Sequence, residues 1–213
     1  SLTLEINARK DKIGYVVVND KKVDYSLAEN AVSKPIIIIE AGIAESYEVQ
    51  IVWKGKVIND SIWNIDVASR GNVKLSLPFK CLRVYDPQHV FGKTKLKENY
   101  LSGQVCGTKG NRTLFVQVSE GDMRWWKPLN FNIHEPLEII NDSEANSLEF
   151  GIKNNMKGRI AWGLFINEDS VSTVSDIKPG KSVCFSFGED NVRFGTNTIH
   201  IKTVSKILNL KVI

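Results

Sequence analysis

The chain has 213 residues, 42% hydrophobic and 24% charged, with a formal net charge of +4. That length holds one large domain or two small ones, each with a buried core, and the composition excludes a disordered or fibrous chain. The charge is modest and no basic stripe or motif accompanies it, so no nucleic-acid partner is expected. The longest apolar run, PIIIIEAGIA, is broken by Glu40 and falls far short of the roughly 20 residues that cross a bilayer, so no membrane insertion is expected either. No charged segment followed by an apolar one opens the chain, so no signal peptide is expected.

In chain order, GYVVV-NDKK-VDYSL near the N-terminus reads as a hairpin. Then YEVQIVW, NVKLSLPF, RTLFVQVS, TIHIKTV and ILNLKVI alternate apolar with polar residues. Period two over short runs rich in Val, Ile, Thr and Phe is the pattern of half-buried strands. Clusters such as WKGK, SRGN, KPGK and GEDN separate the runs as turns. No stretch long enough for a helix keeps an apolar stripe at 3.6-residue spacing. The expected class is all-β.

The chain also resembles itself. KPIIIIEAGIAESYEVQI from Lys34 lies against EPLEIINDSEANSLEFGI from Glu135 without a gap, matching Pro35 to Pro136, Ile39 to Ile140 and Ile51 to Ile152. SRGNVKLSLPF matches KPGKSVCFSFG, GNRTLFVQVS matches GTNTIHIKTV, and LNFNI matches LNLKVI. The order of the blocks is kept, so two copies of one unit are expected. The domains are then 1–134, which includes the hairpin region 1–34 and an insertion at 80–110, and a compact seven-stranded sandwich at 135–213.

The rhythm IKPGKSVCFSF then GTNTIHIKTV resembles immunoglobulin-like and fibronectin type III-like modules of extracellular bacterial proteins. That resemblance is one of pattern and is clearest in 135–213. It implies two tandem immunoglobulin-like β-sandwiches, with Trp162 and Trp63 as the core tryptophans of the third strand in each copy, and it implies nothing about chemistry. The inter-sheet cysteine pair of such modules is not recognisable in the second copy, which has only Cys184.

Candidate binding residues come from what the first copy has and the second lacks, because insertions on a β scaffold become loops, and loops carry sites. The 80–110 stretch supplies Tyr85, Tyr100 and Lys95, the last within the basic run KTKLK. EGDMRWWKP adds Arg124, Trp125 and Trp126. Adjacent strand residues face opposite ways, so one tryptophan is free to pack inward while the other faces out. Aromatic rings flanked by cations suit a carbohydrate, an acidic one included, or a protein partner. The plain alternative is that both tryptophans are structural and that KTKLK is a solvated face.

Cys81 and Cys106 flank the insertion. A bridge between them would close about 25 residues and contribute roughly 3 kcal/mol, the alternative being two reduced thiols in strands. Cys184, between Val183 and Phe185, is expected to be a core thiol. His89, His134 and His200 share no ligand spacing, so neither a metal nor a cofactor is expected. Asp86 in YDPQ reads as the first residue of a turn. No catalytic motif occurs. The leading expectation is a non-catalytic extracellular or cell-surface module pair that binds through the first domain's loops. A purely structural spacer in a larger protein comes next, and an enzyme using Asp86, His89 and Tyr100 last.

Overall fold

A computed structural model of the chain describes residues 1–140, 149–167, 169–186, 197–203 and 206–212. Every regular element among them is a strand, and the chain is all-β, folding as immunoglobulin-like sandwiches in tandem. It divides into two compact units, Ser1–Asp66 with Asn72–Ile133, and Val67–Gly71 with His134–Ile213.

In the first unit, β1 (Leu2–Asn7), β2 (Lys10–Val18), β3 (Lys21–Val23), β4 (Tyr25–Leu27), β5 (Ile36–Ala41) and β6 (Val49–Val57) form two sheets, ordered β1-β5-β4 and β3-β2-β6. The hairpin β2–β3 is present. Its turn residues Asn19 and Asp20 have φ of 48° and 63°, the left-handed pair that matches strand twist in a two-residue turn. Alternation along β5 sends Ile37 and Ile39 inward, both 0% exposed, and Val16 and Val18 of the other sheet are buried as well.

Next come β7 (Trp63–Ala68), β8 (Asn72–Ser76), β9 (Lys80–Tyr85), β10 (Phe91–Lys97), β11 (Tyr100–Val105), β12 (Gly110–Glu120) and β13 (Met123–His134), in sheets β10-β11-β8 and β7-β13-β12-β9. Leu114, Val116 and Val118 of β12 and Trp125, Leu129 and Phe131 of β13 are buried between them. Phe91 of β10 meets Phe131 edge to face at 5.4 Å, which ties the two sheets together. Each such side chain contributes about 1.5–3 kcal/mol by leaving water.

The two parts of this unit are locked together by backbone. Trp126 donates its N–H to the Ala31 carbonyl at 2.8 Å and accepts from Ser33 at 2.8 Å, so Val32 adds a parallel bridge to β13. At the β12–β13 turn, the Asp122 N–H reaches the Asp11 carbonyl at 2.8 Å. Gly121 makes that approach possible: it sits at φ 54°, and a Cβ there would overlap the Asp11 carbonyl oxygen.

In the second unit, β14 (Leu137–Ile140), β15 (Glu149–Asn154) and β18 (Ser182–Ser186) form one sheet. β16 (Ile160–Ile166), β17 (Asp169–Ile177), β19 (Asn197–Thr203) and β20 (Lys206–Val212) form the other. Leu137, Ile152, Ile166, Ile177 and Ile201 make its core. Asn154 is fully buried: its amide nitrogen donates to the carbonyls of Gly158 and Ile177, both at 2.8 Å, and its oxygen accepts from the Met156 N–H at 2.8 Å. A polar side chain with its hydrogen bonds made is stable there.

One pair of ladders recurs along the chain: β1–β5 with β2–β6, β8–β11 with β9–β12, and β15–β18 with β16–β19. The internal repeat is therefore present in the pairing. RTLFVQVS and TIHIKTV occupy matching strands, β12 and β19, as do LNFNI and LNLKVI, in β13 and β20. The earlier blocks match differently from the sequence comparison. SVCFS of β18 corresponds to β11, not to the VKLS of β8, and the IIII run of β5 pairs with β1 and β4. Residues 80–110 are consequently no excursion but three ladder strands, β9, β10 and β11, and residues 1–34 contribute four strands, of which β1 and β4 pair with β5, β2 pairs with β6, and β3 pairs with β2. Short alternating strands look alike in sequence, and only the partner distinguishes them.

The lock makes a testable demand on Gly121. Gly121→Val is expected to lower the stability of the first unit by on the order of 2–3 kcal/mol, read as a lower urea midpoint, because it combines a disfavoured φ with a backbone clash. An unchanged midpoint would contradict this packing.

Candidate functional site

The register of β9, β12 and β13 sorts their side chains into two rows. Tyr85 stands opposite Phe115, Arg83 opposite Gln117, and Gln117 opposite Trp126, so these residues share the outer face. Val118 opposite Trp125 belongs to the inner face, where Trp125 is 0% exposed. Trp125 is thus core, and its buried Nε1 has no hydrogen-bond partner among the described residues. Trp126 is half-buried and faces out.

Tyr85, 58% exposed, stacks on Phe115 at 6.4 Å with 29° between planes and meets Trp126 edge-on at 6.4 Å. Arg83 Nε donates to Gln117 Oε1 at 3.0 Å, which holds its guanidinium along the face. Arg124, exposed, lies two residues before Trp126 on the same side of β13. The end of β4 and the segment after it, pinned by the Trp126 backbone, close one side with Leu27, Ala28, Glu29 and Asn30. The result is a concavity of about 280 Å³ floored by Trp126 and Gln117 and flanked by Arg83 and Arg124.

The other two candidates lie elsewhere. Tyr100 and Lys95 belong to β11 and β10, on the outer face of the opposite sheet of the same sandwich, where the Lys74 ammonium sits 5.3 Å from the Tyr100 ring centre. Tyr85, Trp126 and Arg124 come together, whereas Tyr100 and Lys95 do not join them. Sequence reading names Arg83 only as a basic neighbour of the insertion and misses Phe115 and Gln117. Their position two residues apart on alternating strands was visible, but not which strand would lie beside which.

Several expectations are corrected. Cys81 and Cys106 form no bridge. Cys81 is buried on β9 with its thiol 3.7 Å from the Phe79 carbonyl, whereas Cys106 is exposed after β11, in the other sheet, and its thiol lies 3.2 Å from the His89 carbonyl. Cys184 is exposed rather than core, since its neighbours Val183 and Phe185 take the inward positions on β18. Trp63 stands half-buried on β7, the first strand of its sandwich, with its edge toward Phe79 at 6.3 Å. Trp125 fills the core instead. The side chain of Trp162 lies outside the described residues. Asp86 does begin a turn, its two carboxylate oxygens accepting from the Val90 and Phe91 amides at 2.9 Å each, so it is committed to structure. Among the described residues, no three His, Cys, Asp or Glu side chains gather to hold a metal, and no helix is long and apolar enough to cross a membrane.

Behind the face, Lys127 is 2% exposed, its ammonium donating to the Asn59 carbonyl at 2.7 Å and lying 5.5 Å from the Phe79 ring centre. Desolvation pulls its pKa below the ordinary lysine value, against smaller upward pulls from Glu120 and Asp60. The unfolded chain then holds this proton to higher pH than the folded one. The group costs stability at neutral pH, and the cost fades as pH rises through the folded pKa toward about 10.5. Urea unfolding is expected to show wild type gaining on Lys127→Met between pH 7 and 10, and a difference independent of pH would contradict this burial. Burial likewise pushes the Cys81 thiol up to about 11. Iodoacetamide at pH 8 is expected to modify Cys106 and Cys184 in the folded protein and Cys81 only after denaturation. Rapid labelling of Cys81 would refute its placement.

No protein-family model matches the chain, and no curated protein matches it. Among solved structures it is similar to the I9–I11 tandem of titin, at 12% identity over 99% of this chain and 91% of that one, with a TM-score of 0.29. It is also similar to the N-terminal four Ig domains of Dscam1 isoform 8.4, at 11% identity, 94% and 64% coverage and a TM-score of 0.31. A third is a Bacteroides ovatus mixed-linkage glucan utilization locus protein, SGBP-B, in complex with a mixed-linkage heptasaccharide, at 15% identity, 96% and 58% coverage and a TM-score of 0.30. The chain spans less than two thirds of the latter two, and likeness at this level carries no chemistry.

Proposed function

We infer that the chain is a non-catalytic extracellular or cell-surface module pair. Its first domain, residues 1–134, binds an acidic glycan on the outer face of β9, β12 and β13, and residues 135–213 serve as a second, compact module. The observation that carries this reading is that Trp126, Arg83 and Arg124 line one concavity, with Tyr85 edge-on to Trp126 and stacked on Phe115 on the same face. A sugar ring presents an apolar face to an aromatic side chain, and a uronate carboxylate is matched by a guanidinium fork. Gln117 and Asn30 supply polar groups for hydroxyls, and the single acid, Glu29, leaves the face net basic. A protein partner is the second occupant this face fits, because an exposed tyrosine beside arginines is also the make-up of interface anchors.

Titration of the protein with polygalacturonate and with dextran, followed by tryptophan emission, tests the reading. Saturable quenching by polygalacturonate is expected, weakened at least tenfold in Tyr85→Ala and in Arg124→Ala with circular dichroism unchanged. If neither polysaccharide gives a saturable change, the glycan reading fails and the spacer role takes its place.

A further inference from the structure

The twice-repeated ladder of β9–β12 and β16–β19 is completed on its far side by a hairpin partner: β13 runs beside β12, and β20 beside β19. Among the described residues, the corresponding ladder β2–β6 has no such strand. β6 ends its sheet, and after a link of five residues the chain enters β7. The consequence shows in the inward rows. Leu114, Val116 and Val118 of β12 are each 0% exposed, whereas Val49, Ile51 and Trp53 of β6 are only half-buried, although Val49 and Ile51 stand opposite buried Val18 and Val16.

We propose that the free edge of β6 is a docking site for an extended segment of another protein, which adds antiparallel to β6 as β13 adds to β12. Two observations define that segment. The half-covered row of Val49, Ile51 and Trp53 calls for apolar side chains at every second position, inserted over the first sheet pair. The outward row beside it carries Lys12 and Lys54 opposite one another, with Lys56 exposed at the end of the strand, so the intervening side chains of the partner are acidic. Lysines on an edge strand are a known guard against self-pairing. This edge is separate from the aromatic face, so either site stands or falls without the other.

The test uses the full chain and a blocked nine-residue peptide alternating Val with Glu, measured by calorimetry and amide hydrogen exchange. Saturable binding is expected, with new protection confined to the amides of Val49–Trp53. Binding is expected to weaken at least tenfold when Lys replaces Glu in the peptide, and also when alternate peptide amides are N-methylated so that no ladder forms. Absence of binding, or binding indifferent to N-methylation with β6 amides unprotected, overturns the proposal. So does a concentration-dependent dimer of the protein alone that protects these amides, which would make the second copy the occupant.

Discussion

Trp126 gives both of its backbone groups to the segment after β4, at Ala31 and Ser33, and this small piece of ladder fixes much of what surrounds it. With β13 held in that register, alternation leaves Trp125 no choice but the interior, where a large apolar ring belongs. The segment 28–33, otherwise a long connection, becomes the wall of the concavity beside Arg83 and Arg124. The adjacent turn can close against Asp11 because position 121 is glycine. Each of these contacts crosses between β1–β6 and β7–β13, so the N-terminal strands are part of the first unit and not a loosely attached neighbour.

This arrangement also explains the uneven placement of charge. Lys127 is carried into the interior by the same alternation that buries Trp125 and Leu129, and the Asn59 carbonyl, on the link between β6 and β7, receives its ammonium. A buried ammonium with a carbonyl acceptor and a ring beside it costs less than an unpaired one, but still costs. On the outer face, by contrast, Arg83 is oriented by Gln117 and faces solvent at little cost, as a recognition group should.

Fold class was readable from the chain because period-two alternation is a local property: the NDKK turn, the strands of RTLFVQVS and LNFNI, and the final hairpin are where alternation places them. The pairing was not. SRGNVKLSLPF and KPGKSVCFSFG share a glycine turn and an alternating strand, yet one strand pairs with β11 and the other with β15, since neither carries a residue that names its partner. That mismatch turned three strands, β9 to β11, into an apparent insertion. The site was half legible for the same reason. Trp126, Tyr85 and Arg124 were singled out by their chemistry, but their meeting with Arg83 and Phe115 depends on β9 lying next to β12. Tyr100 and Lys95, chemically just as suitable, fall on the other sheet.

The central claim is that β1–β6 and β7–β13 form one cooperative body through the Trp126 ladder and the Asp11–Asp122 contact. Native-state hydrogen exchange at low denaturant tests it most directly, by following the amides of Ser33, Trp126 and Asp122. The account predicts that all three exchange with the same free energy and denaturant dependence as core amides of β5 and β12, through unfolding of the whole unit. Exchange of these three by a separate, low-energy opening, with β5 and β12 still protected, would contradict it and make the N-terminal strands an independent module.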